Sequence, residues 1–165
     1  MPRSCLAAPS VWVTAIAVLS FTWGSATSQA QGTADFVPVT DAMLRAPADG
    51  DWLMWRRTPD GWGYSPLDQI DRENVGDLRM VWTRALGRGS QQGTPLAYGG
   101  VLYMPNPRDV IQAIDAVTGD LIWEHRREVP ENVGQGGLVT NNRNIAIWED
   151  LIIDTSVDGY AFALD

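Results

Sequence analysis

Beyond residue 90 the chain alternates short apolar runs with polar punctuation. Val101-Leu102-Tyr103 follows Gly99-Gly100, and Leu151-Ile152-Ile153 follows Glu149-Asp150. Ala113-Ile114-Asp115 closes the next run, and Ala163-Leu164-Asp165 closes its counterpart. Thr94-Pro95-Leu96 and Asn144-Ile145-Ala146 open the two copies, so each landmark recurs at an offset of 50 residues. Short runs rich in Val, Ile, Leu and Tyr, bounded by Gly, Asp, Asn or Pro, carry a strand signal rather than a helix signal. They predict strands at about 94–98, 101–104, 110–114 and 121–125 in the first copy, and at about 144–148, 151–155 and 160–164 in the second.

The turns between these strands have their own chemistry. Tyr98-Gly99-Gly100, Pro105 to Asp109, and Ala116-Val117-Thr118-Gly119 are the predicted reversals. In the last, Gly119 takes a left-handed φ at no steric cost, while Asp115 and Thr118 bond turn amides with their side chains. Four short antiparallel strands per repeat of this length are the signature of a β-propeller blade. The second copy supplies three strands and reaches Asp165 before a fourth. A ring needs at least about four blades. The expected architecture is therefore all-β: a partial β-propeller with one complete four-stranded blade and parts of two others. On this reading the chain is the N-terminal part of a longer protein, and the competing architecture is a small sandwich of the same strands.

The first thirty residues follow a different pattern. They hold Arg3 but no Asp or Glu, then an apolar stretch from Val11 to Trp23, then small residues ending Ser28-Gln29-Ala30. This is the three-part pattern of a secretory signal, expected as a signal-peptide helix over 1–30 with cleavage after Ala30. The run is short for a membrane span, which needs about 20 apolar residues. The predicted location is periplasmic, the alternative being an uncleaved anchor that holds the protein at the membrane facing the periplasm. Residues 31–49 read as a mobile leader with a short helix near Thr40–Arg45, and residues 50–165 as the propeller part.

Composition narrows the chemistry. Arg supplies all 12 positive charges against 20 Asp and Glu, for a net charge of −8. Such a chain repels phosphate backbones, which argues against a nucleic-acid partner. The single Cys, Cys5, excludes an internal disulfide framework, and the single His, His125, excludes a His-rich metal centre. His125 follows Trp123 on an outer strand and is expected at the surface. Asp154 and Asp158 flank a strand and a turn, where Asp is a structural residue.

Residues 113–123, Ala-Ile-Asp-Ala-Val-Thr-Gly-Asp-Leu-Ile-Trp, resemble the tryptophan-docking motif of quinoprotein propellers, Ala-x-Asp-x-x-Thr-Gly-x-x-x-Trp. The resemblance implies a docking role for Trp123, with Ala113 and Gly119 leaving space for it and Asp115 and Thr118 shaping the turn. Trp82, in Leu78-Arg79-Met80-Val81-Trp82, looks like the end of another outer strand, of the kind that completes the last blade in that family. Asp51 to Thr58, followed by Gly63-Tyr64-Ser65-Pro66-Leu67-Asp68-Gln69-Ile70 and Asn74-Val75, is similar to the start of mature alcohol dehydrogenases dependent on pyrroloquinoline quinone (PQQ). The resemblance covers essentially all of residues 50–165.

It implies an eight-bladed propeller that oxidises small alcohols by hydride transfer to PQQ, with Ca²⁺ or a lanthanide as Lewis acid and a periplasmic acceptor such as a cytochrome c or a quinone. Two cofactor contacts of the family map onto this chain. Gln92, in Gln91-Gln92-Gly93-Thr94-Pro95, stands where the family has Glu; it keeps an acceptor oxygen and loses the charge. Arg143, in Asn141-Asn142-Arg143-Asn144, matches an Arg whose guanidinium fork bonds both quinone oxygens. The vicinal cysteines of many members are replaced by Gly137-Leu138. The resemblance places the metal ligands and the catalytic Asp beyond residue 165, so no catalytic or metal-binding residue is expected in this chain and the chain alone is expected to be inactive. The alternative function is a non-catalytic propeller of the same repeat, used as a binding or assembly scaffold.

Overall fold

The computed structural model describes residues 36–130 and 143–165, with Val133 and Asn141 between them. The signal-peptide reading of residues 1–30, the vicinal positions Gly137-Leu138, and Asn142 lie outside the described residues.

Two antiparallel sheets form from the two copies of the repeat. The first holds β1 (Leu96–Tyr98), β2 (Val101–Asn106), β3 (Val110–Asp115) and β4 (Leu121–Arg126), each beside the next in sequence. The second holds β5 (Ala146–Trp148), β6 (Leu151–Thr155) and β7 (Ala161–Leu164) in the same meander. All seven predicted strands are present, with β1 and β5 starting two residues later than expected. The connection β2–β3 is tighter than predicted: Asn106 pairs with Val110, leaving Pro107-Arg108-Asp109 as the reversal. Arg108 and Asp109 both take the left-handed conformation, with φ of 67° and 54°, which closes the hairpin in so few residues.

The sheets stack through one face each, as expected for sheet-on-sheet packing. Leu96, Tyr98, Tyr103, Ile111 and Ala113 of the first sheet meet Ile145, Ile147 and Ile152 in one core. Period-2 alternation explains the selection, because Ile111 and Ala113 point to one face of β3. The other face of β3 is polar at its centre. Gln112 accepts from Asn106 Nδ2 at 3.3 Å and donates to Glu124 Oε2 at 2.7 Å, which links three strands, while the buried Asn106 Oδ1 has no partner among the described residues.

Of the mobile leader expected over 31–49, residues 31–35 lie outside the described residues, and the described part departs from the expectation. The short helix is present: α1 (Asp41–Arg45) has Thr40 as its N-cap, whose hydroxyl accepts from Met43 N at 3.4 Å. Its flanks, however, are pinned. Val39 is fully buried and exchanges backbone hydrogen bonds of 2.8 and 2.9 Å with Glu149 at the β5–β6 turn. Trp52 does the same with Ala97 of β1, at 2.8 and 3.0 Å, and Leu53 beside it is buried. The physical reason is pairing: sheet edges present unsatisfied N–H and C=O groups, and this segment covers some of them.

Three expectations about ring-bearing residues are corrected. Residues 78–82 adopt no strand among the described residues, and Met80 and Val81 are exposed. Trp82 nevertheless packs on the first blade: a Cβ built on Gly119 would lie 2.6 Å from its Cδ2, and its indole Nε1 donates to Ala116 O at 3.1 Å. The space over Gly119 therefore belongs to Trp82 and not to Trp123. Trp123 sits opposite Ala113 across the β3–β4 pair and packs against Tyr103 with ring centroids 6.1 Å apart. His125 is half-buried rather than a free surface side chain, with its ring 5.8 Å from that of Phe162.

The turn that receives Trp82 forms as its residues dictate. Asp115 Oδ1 accepts from the amides of Val117 and Thr118, both at 2.8 Å, and Gly119 takes a φ of +77°. These two amides hold the Asp115 carboxyl below the usual carboxylate range.

Candidate functional site

Gln92 and Arg143 are 51 positions apart, and the fold brings them together. The Arg143 Nε donates to Gln92 Oε1 at 3.0 Å. The backbone reinforces this contact, since Thr94 N donates to Arg143 O at 2.8 Å. Both side chains are exposed and lie at the entries to β1 and β5, the first strand of each sheet.

The loop carrying Gln92 is held from behind. Gln91 Nε2 donates to Pro105 O at 2.7 Å, and Pro105 is fully buried. Gly93 lies so close that a Cβ there would overlap the Pro105 carbonyl oxygen. Close backbone approach explains why this position is glycine. Gln92 is thus displayed from a loop that Gln91 and Gly93 clamp to β2. Only the sequence resemblance singled out Gln92; the roles of its two neighbours depend on a contact 14 residues away along the chain and were not readable from the sequence.

The donors suit an anionic ligand. The Nη groups of Arg143 have no hydrogen-bond partner among the described residues. Gln92 also offers its amide nitrogen, whose contact to Ser90 Oγ, at 3.5 Å, is long. Among the described residues no group of three or more His, Cys, Asp or Glu is arranged to hold a metal ion. Asp154 is buried, with Oδ1 accepting from Thr155 N, and Asp158 pairs with Arg127 at 2.8 Å. Both do structural work, as the sequence suggested. No helix among the described residues is long and apolar enough to cross a membrane.

Stacked four- and three-stranded meanders repeating every 50 residues, with Arg143 and Gln92 in contact at the entries to their first strands, make up part of a β-propeller. Residues 52–165 match the family model of the glucose/ethanol/alcohol dehydrogenase β-propeller domain dependent on PQQ, and the chain belongs to that family. The dehydrogenase subunit of the quinone alcohol dehydrogenase of Gluconacetobacter polyoxogenes is 41% identical over 119 residues, covering 70% of this chain and 16% of that one. The 1-butanol dehydrogenase (cytochrome c) of Thauera butanivorans is 34% identical, over 72% of this chain and 17% of the relative. Among solved structures, the quinohemoprotein alcohol dehydrogenase ADHIIG of Pseudomonas putida HK5 superposes with a TM-score of 0.71 at 32% identity, over 79% of this chain and 20% of that one. A europium-containing methanol dehydrogenase superposes with a TM-score of 0.66 at 27% identity, over 72% and 22%. The chain therefore spans about a fifth of the length of the relatives it matches.

Proposed function

We propose that this chain is the N-terminal portion of an exported, periplasmic PQQ-dependent alcohol dehydrogenase, and that it contributes two groups to the cofactor site. The observation that carries the proposal is the Arg143–Gln92 contact of 3.0 Å, formed at the entries to two successive blades. When bound, PQQ supplies the two-electron acceptor for alcohol oxidation, with Ca²⁺ or a lanthanide polarising it. Arg143 presents its fork toward the quinone oxygens, a planar geometry that a Lys does not reproduce. Gln92 orients that guanidinium through Nε and leaves its own amide hydrogens for a cofactor oxygen. A neutral Gln here avoids placing a carboxylate beside a tricarboxylate ligand. The metal ligands, the proton-accepting Asp and the groups that bind the alcohol belong to blades beyond residue 165, and electrons leave to a cytochrome c or a quinone. The signal segment over 1–30 carries the protein across the membrane.

The substitution of Gln for the family Glu also supports a second reading, in which the same repeat forms a non-catalytic scaffold. One experiment separates the two. The coding frame is read past the codon for Asp165, and the encoded protein is assayed for alcohol oxidation with PQQ and either Ca²⁺ or a lanthanide. The proposal expects further blades, an Ala-Glu metal-ligand pair with later Asn and Asp ligands, and PQQ-dependent turnover that Arg143→Ala abolishes or lowers by at least about tenfold. Blades without those ligands and without turnover would establish the scaffold.

A further inference from the structure

Four of the 12 arginines of this acidic chain converge on one hollow of about 590 Å³, which is lined by Arg88, Arg108, Arg126 and Arg127 with Glu128 as its one carboxylate. We propose that this hollow is a binding site for a small, multiply charged oxyanion, a phosphate or a polycarboxylate. The inference is independent of the cofactor reading.

Three segments build the site. The hairpin tip supplies Arg108, held there by the left-handed pair Arg108-Asp109. The loop Gly87-Arg88-Gly89 lies directly on that tip: a Cβ at Gly89 would sit 2.7 Å from Pro107 Cβ, and φ there is +138°. Glycine at 89 is thus what lets Arg88 approach the hairpin. The end of β4 supplies Arg126 and the chain beyond it supplies Arg127.

The four arginines divide into two pairs by their partners. Arg127 is fully engaged: its Nη groups donate to Ser156 Oγ at 2.7 Å and Asp158 Oδ2 at 2.8 Å, and Asp109 lies 3.8 Å away. Ser156 in turn donates to the Asp109 carboxylate. Arg126 is bridged to Glu124 at 3.2 Å, and Glu124 is fixed by Gln112. Arg88 and Arg108 have no hydrogen-bond or ion-pair partner among the described residues, and both are exposed. Like charges are not brought together by their own attraction. Here glycine packing and a hairpin with two left-handed residues place both arginines on the wall of one hollow, in a chain whose net charge is −8. Two guanidinium forks with ten donor hydrogens and no acceptor capacity of their own match a ligand with several anionic oxygens. The concave wall favours a small ligand over a flat macromolecular surface.

The test is calorimetric titration of the full chain with inorganic phosphate and, separately, citrate, at low ionic strength. The proposal expects saturable one-to-one binding by at least one of the two that weakens as salt is added. Arg88→Gln and Arg108→Asn each weaken it by about tenfold or more, while Glu128→Gln tightens it. Asn is chosen at 108 because it tolerates the left-handed conformation. Arg79→Gln, at an exposed position that does not line the hollow, leaves binding unchanged. If Arg108→Asn fails to fold by circular dichroism, Arg88→Gln alone decides, since its side chain makes no contact that the fold needs. Non-saturable heats for both ions, or equal weakening by Arg79→Gln, overturn the site. Binding of poly-L-glutamate without saturable phosphate or citrate binding also overturns it, and assigns the patch to an acidic protein surface.

Discussion

The four-stranded sheet and the segment that precedes it both carry large apolar side chains, and these have opposite fates. In the sheet, Ile111 and Ala113 are fully buried, and every residue of β3 before Asp115 is buried. In residues 58–86, Trp62 is 79% exposed, Met80 82% and Val81 84%. The sheet has a neighbour on each side of its central strand, and its amides and carbonyls are paired by strands close in sequence. The segment has extended stretches without a strand beside them among the described residues. Burial in this architecture follows the availability of a paired edge, not hydrophobicity alone. Trp82 marks the boundary between the two regimes: it belongs to the exposed segment, yet it is anchored because the 116–119 turn offers it a carbonyl and a glycine.

Substitutions sharpen this contrast. The largest effect is expected at Ile111, which is fully buried between the sheets. Ile111→Ala should cost about 2–5 kcal/mol in denaturant unfolding of the chain. A cost below about 1 kcal/mol would mean that the sheets do not share a core in solution. Gly119→Ala comes next. The left-handed backbone costs a non-glycine residue about 1–2 kcal/mol, and overpacking against Trp82 adds about 1–3 kcal/mol. Trp82→Ala should relieve the second part and not the first, which a double-mutant cycle measures.

A smaller, pH-dependent effect is expected at the junction of the two sheets. The hydrogen bond from the Arg127 guanidinium holds the Asp158 carboxyl below the usual carboxylate range. A carboxyl lowered on folding stabilises the native state fully above its unfolded pKa of about 3.9, and that contribution is lost as pH falls through the lower folded value. Asp158→Asn should therefore lower stability at neutral pH and flatten its decline below about pH 4. An unchanged acid limb would show that the pair is not formed. The smallest effect belongs to the exposed segment. Met80→Ser should change the stability of this chain by less than about 0.5 kcal/mol.

The sequence made the blade legible because its determinants are local. The run from Ala113 to Trp123 contains the strand, the Asp115 side-chain bonds, the Gly119 turn and the next strand within eleven positions. Contacts between distant positions were read less well. Val39 and Trp52 as edge partners, and Trp82 rather than Trp123 over Gly119, depend on pairings of 30 residues or more that carry no periodic signal. The cofactor pair was found by resemblance to a family, and its mutual contact emerged only from the fold. The Gly87–Gly89 loop and the hairpin tip gave no sign in the sequence that they would gather arginines, because Arg88 and Arg108 come to line one hollow only through the packing of Gly89 on Pro107.

The central claim is that Arg143 and Gln92 form part of a PQQ site, and equilibrium titration with PQQ tests it most directly. The protein expressed from the complete frame, freed of cofactor, is titrated while the quinone absorbance and tryptophan fluorescence are followed. The account predicts stoichiometric binding that Arg143→Ala weakens by at least about tenfold and Arg143→Lys only partly restores. Equal affinity in the wild type and in Arg143→Ala, with the fold intact, would contradict it.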